Sequence, residues 1–189
     1  MAPCYTPSTG VGERRTLKSR YQNRKDVEVV DYDPAWTIRF GRERTLILQA
    51  LGDMLYAIEH IGSTSVPSLR AKPIVDIMVA VERLSDGEPY IGPLDEVGYE
   101  YRGDGGFSNH LFWRKGDPRQ VNLHMVEIES DFWREHIVFR DRLRAEPELA
   151  QEYGKLKMRL AKRYSTDKVG YNQAKEPFIR RVLRLSEST

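Results

Sequence analysis

The residues best suited to chemistry lie in two short stretches: Gly62-Ser63-Thr64-Ser65 followed by Lys72 and Asp76, and Asn122 with His124. Small hydroxyl residues after a glycine let backbone N–H groups converge on an anion, and their side chains add donors. Gly62, Ser63, Thr64 and Ser65 have that composition, and Lys72, seven residues after Ser65, can return to a phosphate. The motif is not a P-loop, which needs GxxxxGK[ST] before a helix. Pro67 breaks the segment first.

Asp76 sits inside PIVDIMVAV, where alternate residues share a strand face, so Asp76 and Met78 point one way and Ile77 and Val79 the other. A lone carboxylate on such a strand is costly to bury unless it is paired, hydrogen-bonded or metal-bound. It either ties to an arginine or to backbone N–H groups, or faces a ligand. On QVNLHMV, Asn122 and His124 share one face, with Leu123 and Met125 opposite. Two polar residues on an otherwise apolar strand read as a site wall. His124 there suits a general base, a metal ligand or a satisfied core histidine. His60 is read as orienting the loop, His110 and His136 carry no signal, and Phe132, Trp133 and Phe139 read as core.

These residues need strands to present them. Four segments qualify: Leu55 to Ile61, Ile74 to Val81, Asn109 to Arg114 and Gln120 to Val126, the last two joined as a hairpin through KGDP. VEVVDYD from Val27 is a further strand-like run. Asp33-Pro34 opens a helix to about Leu51, closed by Gly52. YIGPLDEVGY is a short helix, and Arg102 to Phe107 is a glycine-rich loop. From Asp131 the periodicity changes from two to 3.6 residues. It predicts a helix from Ser130 to about Ala145, one from Pro147 to about Tyr164 and one from Tyr171 to Leu185. Strands first and helices last describe an α+β domain. Residues 1–26, mixed Ser, Thr, Gly, Pro and basic, read as a disordered arm. The domain is 27–185, with a core at 27–128 and a helical tail at 129–185.

Charge is segregated. Residues 1–25 carry six Lys/Arg against one Glu and residues 140–184 thirteen against six, whereas 26–139 carry eleven against twenty acidic residues. Opposed patches focus field lines on an anionic ligand, or are simply solvated faces. Arg140 and Arg144, four apart on one helix face, are candidate phosphate or acceptor ligands. No apolar run reaches the roughly 20 residues that span a bilayer. The single cysteine, Cys4, forms no internal disulfide, and no signal core precedes it, so a cytoplasmic setting is expected. The basic arm allows an RNA-associated reading, but no RRM, KH or zinc signature appears, so nucleic acid is not the expected partner.

The stretch IEHIGSTSVPSLRAKPIVDIMV, the strand VNLHMVE, and the tail FRDRLRAEPELAQEYGKLKMRLAKRY with YNQAKEPFI resemble the GrpB family, from roughly Val27 to Leu183. That family is grouped with the nucleotidyltransferases, and some members are fused to dephospho-CoA kinase. The resemblance implies a nucleotidyltransferase-like mixed β-sheet with helices. In it Gly62 and Ser63 hold a nucleoside triphosphate, Asp76 binds Mg²⁺, and a nucleoside monophosphate passes to a small acceptor. It adds Lys157, Tyr171 and Lys175 as tail residues facing phosphate or acceptor. In the wider superfamily a second carboxylate follows two residues after the first. This chain has Met78 there, and its neighbouring strand carries Asn122 and His124. That departure opens the alternative of a non-catalytic nucleotide or metabolite sensor.

Overall fold

The computed structural model describes residues 27–84, 87–106 and 108–187, so the expected arm at 1–26 lies outside the described residues. The chain enters helix α1 (Ala35–Leu51), where Asp33 Oδ1 accepts from the Ala35 N–H at 2.9 Å, and leaves it at Gly52. Strand β1 (Ala57–Ile61) runs into a single 3₁₀ turn, Ser63–Ser65, and β2 (Val75–Val81) follows. Helix α2 (Glu88–Glu96) leads to β3 (Glu100–Tyr101), β4 (His110–Lys115) and β5 (Val121–Glu127). The rest is helical: α3 (Asp131–Ala145), α4 (Pro147–Arg163), α5 (Lys168–Gln173) and α6 (Glu176–Glu187). This is an α+β fold with one mixed five-stranded sheet in the order β1-β2-β5-β4-β3. Only the β2–β5 pair is parallel.

Two expected elements differ. VEVVDYD makes only an isolated bridge, Val30 with Ala71, because Pro73 has no N–H with which to extend a ladder. The last expected helix is two, α5 and α6. Pro177 cannot donate inside a helix but suits a first turn, so the chain breaks at Ala174-Lys175 and restarts. β3, too short to show alternation, was not foreseen.

The sheet has one dry face and one divided face. Val75, Ile77, Val79, Leu123 and Met125 pack against Trp36, Ile47 and Leu51 of α1 and Tyr90 and Leu94 of α2. On the other face, Met78 and Val126 are covered by Phe132, Trp133 and Ile137 of α3. Ser130 Oγ accepts from the Trp133 N–H and fixes where that helix begins. Further along the same strands Asp76 and Asn122 are left without that roof, and His124 stands at its edge, 5.9 Å ring to ring from Phe132. The tail holds its own core. Leu143, Ala150, Tyr153, Phe178 and Val182 pack on Val66 and Leu69, which clamps the segment after the 3₁₀ turn. Among the described residues no helix is long and apolar enough to cross a membrane.

Candidate functional site

Parallel pairing sets Asp76 opposite Asn122 and Met78 opposite His124, while antiparallel pairing sets Ile61 beside Asp76. The chain therefore turns at Gly62 directly over the Asp76 side chain. Gly62 has φ 68° and ψ −172°, and a Cβ there would lie 2.7 Å from Asp76 Oδ2. Only glycine lets the backbone come so close. The turn closes with Ser65 N–H to Gly62 O and Val66 N–H to Ser63 O, which leaves the N–H groups of Ser63 and Thr64 outside that closure.

Asn122 Nδ2 donates to Asp76 Oδ1 at 2.7 Å, and His124 Nε2 stands 3.9 Å from the same oxygen, an electrostatic neighbour rather than a donor in contact. Burial pushes the Asp76 carboxyl up, but His124, the Asn122 amide and the Arg119 charge outweigh it, so the group sits below its ordinary value. Asp76 remains 30% exposed and His124 18%, so both reach solvent. Asn122 Oδ1 is buried, and among the described residues no donor reaches it. His124 Nδ1 lies 2.9 Å from His110 Nε2, and His110 Nδ1 lies 2.6 Å from the Asp104 carbonyl.

Opposite the turn stands a cationic wall. Lys72 Nζ and Lys175 Nζ lie 4.5 and 4.7 Å from the centre of the buried Tyr171 ring, and Lys157 Nζ lies 4.7 Å from that of Tyr153. The Ser63 hydroxyl lies beside the Tyr153 phenol, whose pKa burial raises. Burial, with repulsion from Lys175 and Arg119, lowers Lys72 to about 8, although Asp76 opposes the shift. Burial, with Lys175 and Lys72, lowers Lys157 to about 6. Lys175 is lowered by burial and partly held up by Asp76 and Glu176; Arg119 is lowered the same way and held by Asp76. Crowded, half-dehydrated cations around one carboxylate gain when an anion arrives.

The structure thus brings together Gly62, Ser63, Lys72, Asp76, Asn122, His124, Tyr171 and Lys175. It does not bring in five expected ligands. Lys157 is buried and donates its Nζ to Arg70 O. Thr64 and Ser65 are buried, with the Thr64 hydroxyl on His60 Nε2 at 3.0 Å and Ser65 Oγ donating to Gly62 O at 2.6 Å. Their hydroxyls shape the turn and do not face its mouth. Arg140 pairs with Glu59 and Asp141 and donates to His60 O. Arg144 donates through Nε and Nη2 to Ser65 O. Both fasten α3 to the outside of the turn. Burial lowers His60 to about 4, and its neutral ring stacks on Phe40. Arg119, Tyr153 and His110 join this group without a signal that singled them out in the sequence. The only hints were the place of Arg119 as the one cation just before the Asn122 strand and, for His110, the hairpin register. A separate cleft of about 800 Å³, lined by Phe40, His60, Val66, Leu143 and Arg144, lies on the far side of the turn.

A small α+β chain with this turn, carboxylate and helical tail belongs to the GrpB family, whose family model, described as GrpB protein, matches residues 26–185. The chain is 35% identical over 170 residues to the glutamate-rich protein GrpB of Alkalihalophilus pseudofirmus, covering 85% of this chain and 96% of that one. It is 35% identical over 172 residues to a UPF0157 protein of Pseudomonas aeruginosa, covering 87% and 70%. The crystal structure of the conserved protein GrpB from Enterococcus faecalis superposes with a TM-score of 0.75 at 36% identity, over 82% of this chain and 94% of that one.

Proposed function

We propose that the chain binds a nucleoside triphosphate across the Gly62-Ser63 turn and transfers its nucleoside monophosphate to a small hydroxyl acceptor. The observation that carries this reading is the convergence on Asp76: the turn backbone lies against its carboxylate, and its charge partly holds up the lowered pKa values of Lys72, Lys175 and Arg119. The N–H groups of Ser63 and Thr64 and these cations take the phosphates. His124 Nε2 accepts the proton of the acceptor hydroxyl as its oxygen bonds to the α-phosphorus, and the bond to pyrophosphate breaks. Asp76, 3.9 Å away, steadies the imidazolium that results.

The donors suit one Mg²⁺ and not two. Mg²⁺ is commonly held by one or two carboxylates plus phosphate oxygens and water. Asp76 and the unpartnered Asn122 Oδ1 supply oxygens of that kind. Among the described residues no three His, Cys, Asp or Glu side chains gather to hold a metal ion without the nucleotide. One Mg²⁺ carried by the triphosphate would neutralise charge on the phosphates beside Asp76.

A second reading rests on Met78, which is 0% exposed where a second carboxylate would stand: a nucleotide sensor that binds without turnover. Thermal unfolding with each nucleoside triphosphate, with and without Mg²⁺, tests the shared part. Ligand at 100 times its dissociation constant adds about 2.7 kcal/mol, and Asp76→Ala removes the Mg²⁺-dependent portion. No shift with any nucleotide refutes both readings. Pyrophosphate release in the presence of acceptor hydroxyls separates enzyme from sensor.

A further inference from the structure

Three of the chain's histidines lie near one another behind the Asp76 carboxylate: His110 on β4, His124 on β5 and His136 on α3. His136 is spent locally. Its Nδ1 donates to Phe132 O at 2.7 Å, its ring stacks on Phe132, and burial lowers it to about 4. The other two form a directed chain. A carbonyl can only accept, so the 2.6 Å contact between His110 Nδ1 and Asp104 O puts a proton on that nitrogen. Burial keeps the His110 ring neutral, which leaves its Nε2 as an acceptor. The 2.9 Å contact from His110 Nε2 to His124 Nδ1 then requires the proton on His124 Nδ1. In the neutral His124 ring the lone pair then falls on Nε2, the nitrogen 3.9 Å from Asp76 Oδ1. Which ring nitrogen of a histidine carries the proton is set by the hydrogen bond the other makes.

The Asp104 carbonyl is itself held. Asp104 Oδ1 accepts from the Gly106 N–H at 2.8 Å and folds the turn on itself. Gly105 has φ 63°, and a Cβ there would lie 3.0 Å from His110 Cε1 and 3.1 Å from Phe112 Cβ. The turn can rest on the His110 ring only because that position is glycine. The glycine-rich loop, so far without a role, thus reaches the candidate base through one buried imidazole.

We propose that His110 and the Asp104 carbonyl are positioning groups that hold His124 in its Nδ1–H tautomer, so that the 103–106 turn determines which His124 nitrogen faces the ligand. The functional consequence rests on the reading of His124 as the proton acceptor; the tautomer does not. Nitrogen-15 NMR of the imidazole rings, at mildly alkaline pH and without nucleotide, reads the proton positions directly. The expected wild-type spectrum has His124 protonated at Nδ1, with a through-hydrogen-bond coupling to His110 Nε2. His110→Gln keeps an acceptor oxygen close to the Nε2 position and retains the tautomer. His110→Phe keeps a ring, removes the acceptor and moves the proton to Nε2. A wild-type His124 protonated at Nε2, a missing coupling, or a His110→Phe protein that keeps Nδ1–H would each overturn the proposal. Should His110→Phe fail to fold, the wild-type coupling decides. If nucleotides give no thermal shift, the proposed function falls while the tautomer result stands.

Discussion

Gly62→Ala is the most direct probe of the contact on which the site is built. The glycine occupies φ 68° and ψ −172°, a region that costs an L side chain on the order of 1–3 kcal/mol. Gly52 provides the control: its φ is 51° and ψ −127°, but a Cβ there meets nothing within 4 Å. Gly52→Ala therefore registers backbone strain alone. At Gly62 the new methyl would also stand 2.7 Å from Asp76 Oδ2 and 3.3 Å from its Cβ. Relieving such overpacking costs a further 1–3 kcal/mol or so. For a chain of this size about 1 kcal/mol moves Tm by roughly 2–4 °C. Gly62→Ala should thus melt about 2–12 °C below Gly52→Ala in differential scanning calorimetry. The excess should shrink in Gly62→Ala/Asp76→Ala, where the offending oxygens are gone. Equal penalties at the two glycines, additive with Asp76→Ala, would refute the close approach of turn and carboxylate.

Two further outcomes follow from the same geometry. Lys157 is 2% exposed and its pKa is lowered to about 6, so between that value and the ordinary lysine range the unfolded chain binds one more proton than the native one. Stability then rises with pH across that window, by up to about 1.4 kcal/mol per pH unit from this residue. Lys157→Met should flatten the rise in urea midpoints between about pH 6 and pH 9, and an unchanged slope would show the ammonium to be solvated. Arg144→Met keeps the stem but removes both donors to Ser65 O, 3.1 and 3.0 Å away. Because the Arg144 side chain is 39% exposed, water replaces part of the loss, and roughly 1 kcal/mol is expected, with weaker triphosphate binding as the turn loosens. Unaltered Tm and affinity would mean that α3 does not hold the turn.

Asp76 was legible because a charge inside an otherwise continuous apolar strand has few explanations, and the period of two fixed Asn122 and His124 on one face. Helix limits read off caps held where the cap chemistry is local, at Ser130 and Gly52. Failures came where a local feature had a distant partner. The spacing of Arg140 and Arg144 is that of one helix face, but their partners, Glu59 and Ser65, lie 81 and 79 residues away. Thr64 and Ser65 have the right chemistry for phosphate, yet His60 and the Gly62 carbonyl claim their hydroxyls. His110 gains meaning only from a hairpin register that depends on the length of the connecting turn. Periodicity alone ran α5 and α6 together, although Pro177 marked the restart.

Met78 and His124 sit side by side in register, and α3 lies across that row while leaving the row of Asp76 and Asn122 open. One helix thus draws a shoreline across the sheet, wet on one side and oily on the other. Met78→Asp would supply the carboxylate that a two-metal chemistry wants, but would drown it under Phe132, Trp133 and Ile137. To acquire a second ion, this lineage of folds would first have to tilt or shorten α3, and only then change residue 78. The order of those two steps is dictated by where a single helix happens to lie.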